Sequence, residues 1–305
     1  HKKIVCFLCY GLIIILSSLS YSQCALAEDE SPAKLIEGAK KEGKLAIYFS
    51  MSIPDSTMMV NRFQAKYPFI KVDHTRVSSE SMLVRILNEA RAKKYVPDVI
   101  QNGSFELYLL KKSGLLARYL SPERKAYGEQ FKDLDGYFTD NYIVIKPILY
   151  NTKLVPPDKA PKSYEDLLDP QWGGGKLVFE GRGDASGIRF LLCIMKMMGE
   201  KKGEDFLRRL AKQKLIMRSG TSLVATLIAA GEFPIAVSNS GNTAELLKDK
   251  GAPVEWVRND PMLTTHIGIS LSSHASSPNS AKLFIDFILS KEGQEIFRAM
   301  HRIPA

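Results

Sequence analysis

The chain has 305 residues, 45% of them hydrophobic and 25% charged, with a formal net charge of +9. That length and composition bury a substantial core, in one large domain or two smaller ones, and exclude a disordered protein. The basic balance suits an anionic ligand, a phospholipid surface or nucleic acid. Yet the basic residues are interleaved with acids, as in Lys201-Lys202-Gly203-Glu204-Asp205, which describes a solvated surface and argues against nucleic-acid binding.

At the amino terminus Lys2 and Lys3 precede an apolar run over residues 4–16, and small and polar residues then close with Ala25-Leu26-Ala27 ahead of Glu28-Asp29-Glu30. This is the layout of a secretory leader cleaved after Ala27, residues 1–27. Ser17, Ser18 and Ser20 interrupt the run short of the roughly 20 apolar residues that a membrane span needs. A lipid anchor at Cys24 is the alternative, but Tyr21-Ser22-Gln23 lacks the Leu and small residues expected ahead of such a cysteine. Cys6, Cys9 and Cys24 lie in this segment, so the mature chain keeps Cys193 alone and no internal disulfide is expected. Export without cysteine pairs suits a bacterial periplasm. Cys193 sits in an apolar stretch and reads as packing. Loss of Lys2 and Lys3 leaves a charge of about +7. The chain begins at His1 and stops at Ile303-Pro304-Ala305, directly after a helical pattern, so an incomplete reading frame at one or both ends is expected.

After Ala27, strand-like and helical segments alternate. Residues 32–42 read as a helix ended by Gly43, and residues 44–49 as a short apolar strand. Met58, Met59, Phe63 and Tyr67 recur at helical spacing until Pro68 stops them. Residues 70–77 alternate as a strand, Leu83, Ile86, Leu87 and Ala90 form a helical stripe, and residues 97–100 lead into another strand. Residues 105–112 form a helix closed by Gly114. Such alternation predicts a mainly parallel sheet covered on both faces. Two short β-like runs, 142–145 and 148–150, flank Pro147, and a Pro-rich loop follows. A second unit then begins: strands at 177–179, 215–218 and 235–238, with helices at 187–198, 203–213, 223–230 and 243–250. The chain returns through 254–257 to an alternating strand at 266–271 and ends on helices at 280–289 and 291–300.

Several segments carry a resemblance, in order, along nearly the whole mature chain. They are Ala39-Lys40-Lys41-Glu42-Gly43-Lys44, Phe63-Gln64-Ala65-Lys66-Tyr67-Pro68-Phe69-Ile70-Lys71-Val72, Pro97-Asp98-Val99 and Ala117-Arg118-Tyr119. The series continues with Tyr150-Asn151-Thr152-Lys153-Leu154-Val155, Pro161-Lys162-Ser163-Tyr164-Glu165-Asp166-Leu167-Leu168-Asp169-Pro170 and Ser290-Lys291-Glu292-Gly293-Gln294. Together they resemble the extracellular solute-binding proteins of ABC importers that include the iron(III), thiamine, polyamine and phosphonate binders. The resemblance implies an α/β, two-lobed type 2 periplasmic-binding fold with a hinge of two extended crossovers, closing on its ligand. It places the crossovers near residues 142–148 and 257–265. Lobe one would be discontinuous, 28–143 with 262–305, and lobe two would be 144–261. It also implies a monomer without cofactor that takes a small-molecule solute and delivers it to an ABC permease in the inner membrane. The family's carboxy-terminal segment usually continues beyond the equivalent of Arg302-Ile303-Pro304.

In sheets of this type the ligand lies beyond the carboxyl ends of the strands, where the following helices begin. Those positions are Ser50 and Ser52, Ser78 and Ser79, Asn102 and Ser104, Asp184 and Ser186, Thr221 and Ser222, and Asn239 and Ser240. Hydroxyl and amide groups beside free backbone N–H groups suit a carboxylate or phosphate; the same residues are also the ordinary caps of any helix. Arg182 could clamp an anion from its Gly-flanked turn, Tyr142 could stack on a ligand at the hinge, and His266 heads the return strand. The iron binders of the family use adjacent tyrosines in lobe two. The matching stretch, Val237-Ser238-Asn239-Ser240-Gly241-Asn242-Thr243, has none, and Phe49-Ser50-Met51-Ser52 has no His, so no metal site of that kind is expected. Few acidic residues head the helices, which speaks for an organic anion over a polyamine.

Catalysis finds no support: there is no G-x-S-x-G elbow, His-Glu-x-x-His or Cys-x-x-Cys, and His1, His74, His266, His274 and His301 have no ligand-like spacing. Gly181-Arg182-Gly183 begins like a dinucleotide loop, but Gly187 falls one residue late. A metal or chelate binder of the same family, and a sensor subunit read by a membrane receptor, remain as alternatives to the importer role.

Overall fold

The computed structural model describes residues 31–181 and 185–305. The expected leader and Cys24 lie outside the described residues, as do Arg182, Asp184 and the side chain of Ser186.

Helix α1 (Pro32–Glu42) ends where Gly43 takes φ +61°, a left-handed turn that only glycine adopts without strain, and the chain drops directly into β1 (Lys44–Phe49). Helix α2 (Ile53–Lys66), β2 (Lys71–Arg76), α3 (Ser79–Arg91), β3 (Val99–Gly103) and α4 (Ser104–Lys112) follow in strict alternation. β1 pairs in parallel with both β2 and β3, so α2, α3 and α4 all begin along one edge of the sheet. Every residue of β3 is buried, as a strand covered by helices on both faces requires. The chain continues through the short β4 (Leu116–Ala117) to β5 (Phe138–Ile145).

A second sheet starts at β6 (Leu149–Asn151). Then come β7 (Leu177–Glu180), α5 (Ala185–Met198), α6 (Glu200–Lys212), β8 (Ile216–Arg218), α7 (Thr221–Ala230), β9 (Ile235–Ala236), α8 (Gly241–Asp249) and β10 (Val254–Trp256). The order is β10-β6-β9-β7-β8, with β7 parallel to β8 and β9. The chain then returns to the first sheet as β11 (Thr264–Ser272), followed by α9 (Pro278–Leu289), α10 (Lys291–Ala299) and β12 (Ile303–Pro304). The first sheet is ordered β12-β5-β11-β3-β1-β2, with β4 beside β11.

The architecture is the two-lobed α/β fold expected of the sequence. Helix α9 is buried nearly all round; Phe284 meets Phe63 at 5.0 Å and Phe49 at 6.0 Å between ring centroids. Lobe two carries one cluster on each face of its sheet, around Phe206 and Leu210 on one side and Val224 and Ile228 on the other. The helices 280–289 and 291–300 were legible, but nothing in the residue pattern signals β12. His301, at φ +55°, turns the chain so that Ile303 and Pro304 pair with Ile143 and Tyr142. Pro304 is tolerated because β12 is an edge strand.

Two extended segments join the lobes and bond to each other. Lys146 N donates to Leu263 O at 2.8 Å, and Val257 N donates to Ile148 O at 2.9 Å. Asn239 N donates to Pro147 O at 2.9 Å, which ties the end of β9 to the same hinge. The helix-bearing edges of both sheets therefore face each other across the crossovers. Among the described residues no helix is long and apolar enough to cross a membrane.

Candidate functional site

The cleft is built from helix starts. Ser52 caps α2 in the usual way, accepting from Asp55 N at 3.4 Å. The first turns of α3, α4, α7 and α8 receive no side-chain cap. Ser78 directs its hydroxyl to Ser81 Oγ at 2.9 Å instead. Two helix starts in lobe one and two in lobe two thus offer backbone N–H groups and the positive end of the helix dipole.

Asn102 and Asn239 perform one task in the two lobes. Asn102 donates from Nδ2 to Ser79 O at 3.1 Å and accepts from Gly103 N at 2.8 Å. Asn239 donates to Thr221 O at 3.1 Å and accepts from Ser240 N at 2.8 Å. Each asparagine is fully buried and lashes the end of its strand to the first residue of the neighbouring helix. Their polar groups hold the helix starts in place. Ser50 sits deeper, its N–H on Gln101 O and its hydroxyl 3.4 Å from Gln101 Oε1. Ser222 is exposed, and its carbonyl accepts from Thr226 Oγ1 at 2.9 Å. Ser240 donates to the Asn242 side chain.

A bulge decides the fate of Tyr142. Ile267 pairs with Tyr142, but its neighbour Gly268 pairs with Asp140, so Asn141 is an extra residue in β5. The bulge leaves Asp140 beside His266, with Oδ2 2.8 Å from His266 Nδ1, and its other oxygen accepts from Ser104 Oγ. Tyr142 turns to the opposite face, 2% exposed, against Phe297 and under the guanidinium of Arg302. Burial pushes its hydroxyl above the usual tyrosine range. Its ring is part of the lobe-one core.

The residues that span the cleft are not among those the sequence singles out. Arg189, in the second turn of α5, crosses to lobe one, where Nη2 meets Glu80 Oε1 at 2.9 Å and Nη1 meets Glu106 Oε1. Glu80 and Glu106 lie in the first turns of α3 and α4, so acids do head these helices, against the expectation from sequence. Beside the hinge, Lys146 Nζ meets Glu180 Oε1 at 2.5 Å. A small recess opens beside the hinge, with Lys146, Glu180 and Arg189 as its charged walls and Phe179 and Phe190 as aromatic ones. Ser238, Thr264 and Thr265 complete its polar lining, and Cys193 also reaches it. Burial raises the Cys193 thiol above its ordinary value, consistent with packing.

Signals for these residues existed. Glu180 follows the last apolar residue of β7, Lys146 abuts Pro147 in the crossover, and Glu80 and Glu106 stand where negative charge favours a helix dipole. Arg189, on a largely apolar helix, could be placed only by the packing of the two lobes. Among the described residues, no group of three or more His, Cys, Asp or Glu side chains is arranged to hold a metal ion.

The same overall fold is found in solved proteins. The iron-bound HitA from Pseudomonas aeruginosa superposes with a TM-score of 0.75 at 23% identity, over 86% of each chain. The periplasmic binding protein AfuA from Actinobacillus pleuropneumoniae, with exogenous fructose-6-phosphate bound, gives 0.75 at 26% identity, over 86% of this chain and 85% of that one. In sequence, an uncharacterized protein of Haemophilus influenzae is 28% identical over 290 residues, 92% of this chain and 81% of that protein. Residues 87–305 match the family described as bacterial extracellular solute-binding protein, a stretch that takes in β3 and α4, the whole second sheet and the return to the first. A cleft of helix starts bridged by Arg189 is thus the work of a binder rather than a catalyst, and the chain belongs to the bacterial extracellular solute-binding protein family.

Proposed function

We propose that the chain is the solute-capturing component of an ABC-type importer, working as a monomer outside the inner membrane, and that it takes a small organic anion into the interlobe cleft. The observation that carries the reading is Arg189, which projects from lobe two to the uncapped helix starts of lobe one. A guanidinium beside free N–H groups and converging helix dipoles is a seat for a carboxylate, phosphonate or phosphate. The bodies that move are residues 28–143 with 262–305 against 144–261. Solute bridging both rows of helix starts would exclude water, strengthen each polar contact and favour the closed form that a permease recognises. The fructose-6-phosphate of AfuA, an organic anion, is in keeping with this chemistry. An iron site built on adjacent tyrosines would find Ser238, Asn239 and Ser240 at the corresponding place.

A thermal-shift screen of the protein purified from the periplasm tests this. Carboxylates, phosphonates, sulfonates and sugar phosphates are set against polyamines, thiamine and ferric chelates. A true ligand at a hundredfold excess over its Kd stabilises by about 2.7 kcal/mol. A shift with an organic anion is expected. A shift with a polyamine or ferric chelate alone would refute the anion assignment while leaving the binder role in place.

A further inference from the structure

We infer that the end of lobe one opposite the cleft docks reversibly on an anionic phospholipid surface, with Arg91, Lys93, Lys94 and Lys112 against the headgroups and Tyr95 and Val96 at the apolar boundary. This rests on the chain working outside the inner membrane and is independent of which solute the cleft takes.

Topology gathers the cations. Strands β1 and β2 run in parallel, and their first residues, Lys44 and Lys71, are register partners. Helices α3 and α4 run back from the cleft and finish at the same end, with Arg91 and Lys112 in their last turns. Lys93 and Lys94 follow on the way into β3. All six are exposed, and none forms an ion pair among the described residues. The acids nearby are already engaged: Glu37 by Lys40, Asp133 and Asp135 by Lys111, and Glu89 by Arg85. Asp73, two residues along β2, offsets Lys71 and leaves the others uncompensated. Attraction to a helix dipole accounts for Arg91 and Lys112. It does not account for Lys44 at a strand start or for Lys93 and Lys94 in a loop.

An apolar tip stands among them. Tyr95 and Val96 remain 41% and 46% exposed. Tyr95 stacks on His274, with the ring planes 4° apart and the centroids at 3.7 Å. Ser273, the neighbour of His274, donates from Oγ to Gly114 O at 3.0 Å, just past the end of α4. The tip is therefore seated on the ends of α4 and β11, beside Lys112, and Pro97 holds Val96 to an extended path. A lone exposed valine would be ordinary on any surface. A fixed tyrosine with a valine beside it, set in a cluster of one sign of charge, matches a bilayer boundary: the amphipathic ring lies at headgroup level and the lysines meet anionic lipid.

Orientation makes the contact compatible with capture. Helix α3 has 13 residues, so it holds this end about 20 Å from the helix starts. A molecule resting on it has its cleft turned away from the bilayer and open to solute. Release must precede any meeting of the cleft side with a permease, so the contact has to be weak. A basic cluster with one aromatic supplies a weak contact, since stable anchoring takes two strong signals.

The test is co-sedimentation of the protein purified from the periplasm with vesicles of phosphatidylcholine, with and without phosphatidylglycerol. Binding is expected only with phosphatidylglycerol, and it should weaken as sodium chloride shortens the Debye length. Two basic residues at such a surface are worth at least about tenfold in affinity, so Lys93→Glu with Lys94→Glu should bind at least that much more weakly. Lys201→Glu with Lys202→Glu makes the same charge change at the exposed start of α6 in lobe two and should bind as the wild type does. Tyr95→Ser should weaken binding while leaving its salt dependence unchanged. No preference for phosphatidylglycerol, or equal losses in the two double variants, would overturn the inference; the second result would make the contact a matter of net charge alone. Neither touches the thermal shift with solute, so the solute reading is decided separately. Lys112→Glu gives the same comparison if Lys93→Glu with Lys94→Glu does not fold.

Discussion

Replacing Arg189 by leucine should open the ligand-free protein. The Arg189 side chain is 24% exposed, Glu80 29% and Glu106 2%, so the two ion pairs differ in kind. The contact with Glu80 is half in water and is worth a few tenths of a kcal/mol. The contact with Glu106 is desolvated on the carboxylate side, and losing its partner would strand a buried charge. In a rigid core that costs about 3–5 kcal/mol. Here the lobes can part and let water reach Glu106, so the penalty is limited to the difference between closed and open forms, about 2 kcal/mol once the partial exposure of Arg189 is allowed for. That changes the open-to-closed ratio by a factor of about 30. Small-angle scattering of the ligand-free protein should show a larger radius of gyration for Arg189→Leu, with the melting temperature little changed, because each lobe keeps its own core. Adding Glu106→Gln should bring the radius part of the way back, since no buried charge is left to hydrate. An unchanged radius with a large fall in melting temperature would refute the argument: Arg189 would then stabilise the folded lobes rather than the closed arrangement.

Asn102→Ala and Asn239→Ala should each lose about 1–3 kcal/mol in denaturant titration, the cost of orphaning a buried N–H and carbonyl, with solute affinity falling only as far as the helix starts shift. An affinity loss at unchanged stability would instead make them ligand contacts. Glu42 joins α1 to the start of α9. Burial raises its pKa, but the N–H groups of Ser280 and Asn279 outweigh that and hold it below the usual 4.5. A lowered folded value means that its stabilisation is present above the ordinary carboxylate range and is lost as the pH falls through the lowered value. Glu42→Gln should therefore lower the melting temperature at pH 7 and make no difference in strong acid. Cys193, with its thiol raised by burial, should react with iodoacetamide more slowly at pH 8 than a free cysteine, and bound solute should slow it further because Cys193 lines the recess.

The two lobes were legible because the alternation of β and α segments, stopped by Gly43, Pro68 and Gly114, is a local signal and the fold obeys it closely: α1 and β1 begin and end at the residues expected. Features set by long-range contact were not. Arg302 looks like the tail of a helix in sequence, yet it is 8% exposed and holds Asp55 at 2.5 Å from 247 residues away. Of the candidate ligand residues, Ser50, Ser52, Ser78, Ser79, Asn102, Ser104, Thr221, Ser222, Asn239 and Ser240 do stand at the strand ends and helix starts, because strand-then-helix order fixes which end of a strand meets which helix. Which way their side chains turn is another matter. Asn102 and Asn239 are consumed by the backbone, and the single inserted residue Asn141 sends Tyr142 into the core while leaving Asp140 with His266. A strand read with an unbroken period of two would place Asp140 and Tyr142 on one face.

Net charge says little about the cleft for a related reason. The chain as a whole carries +9, but that is a sum over a surface where most charges are solvated and far from the cleft. Among the described residues of the cleft the charges are paired instead, Arg189 with Glu80 and Glu106 and Lys146 with Glu180. The recess and the hinge also share residues: Lys146 and Leu263 line the recess and are the two partners of a hydrogen bond between the crossovers. Thr264 and Thr265, the first residues of β11, line it as well. A molecule held in this recess beside Arg189 would therefore touch the pivot itself, and the contacts that select the solute would be the same ones that set the angle between the lobes. This is how a local charge pattern, hidden inside a basic protein, can decide both what is bound and whether the protein closes.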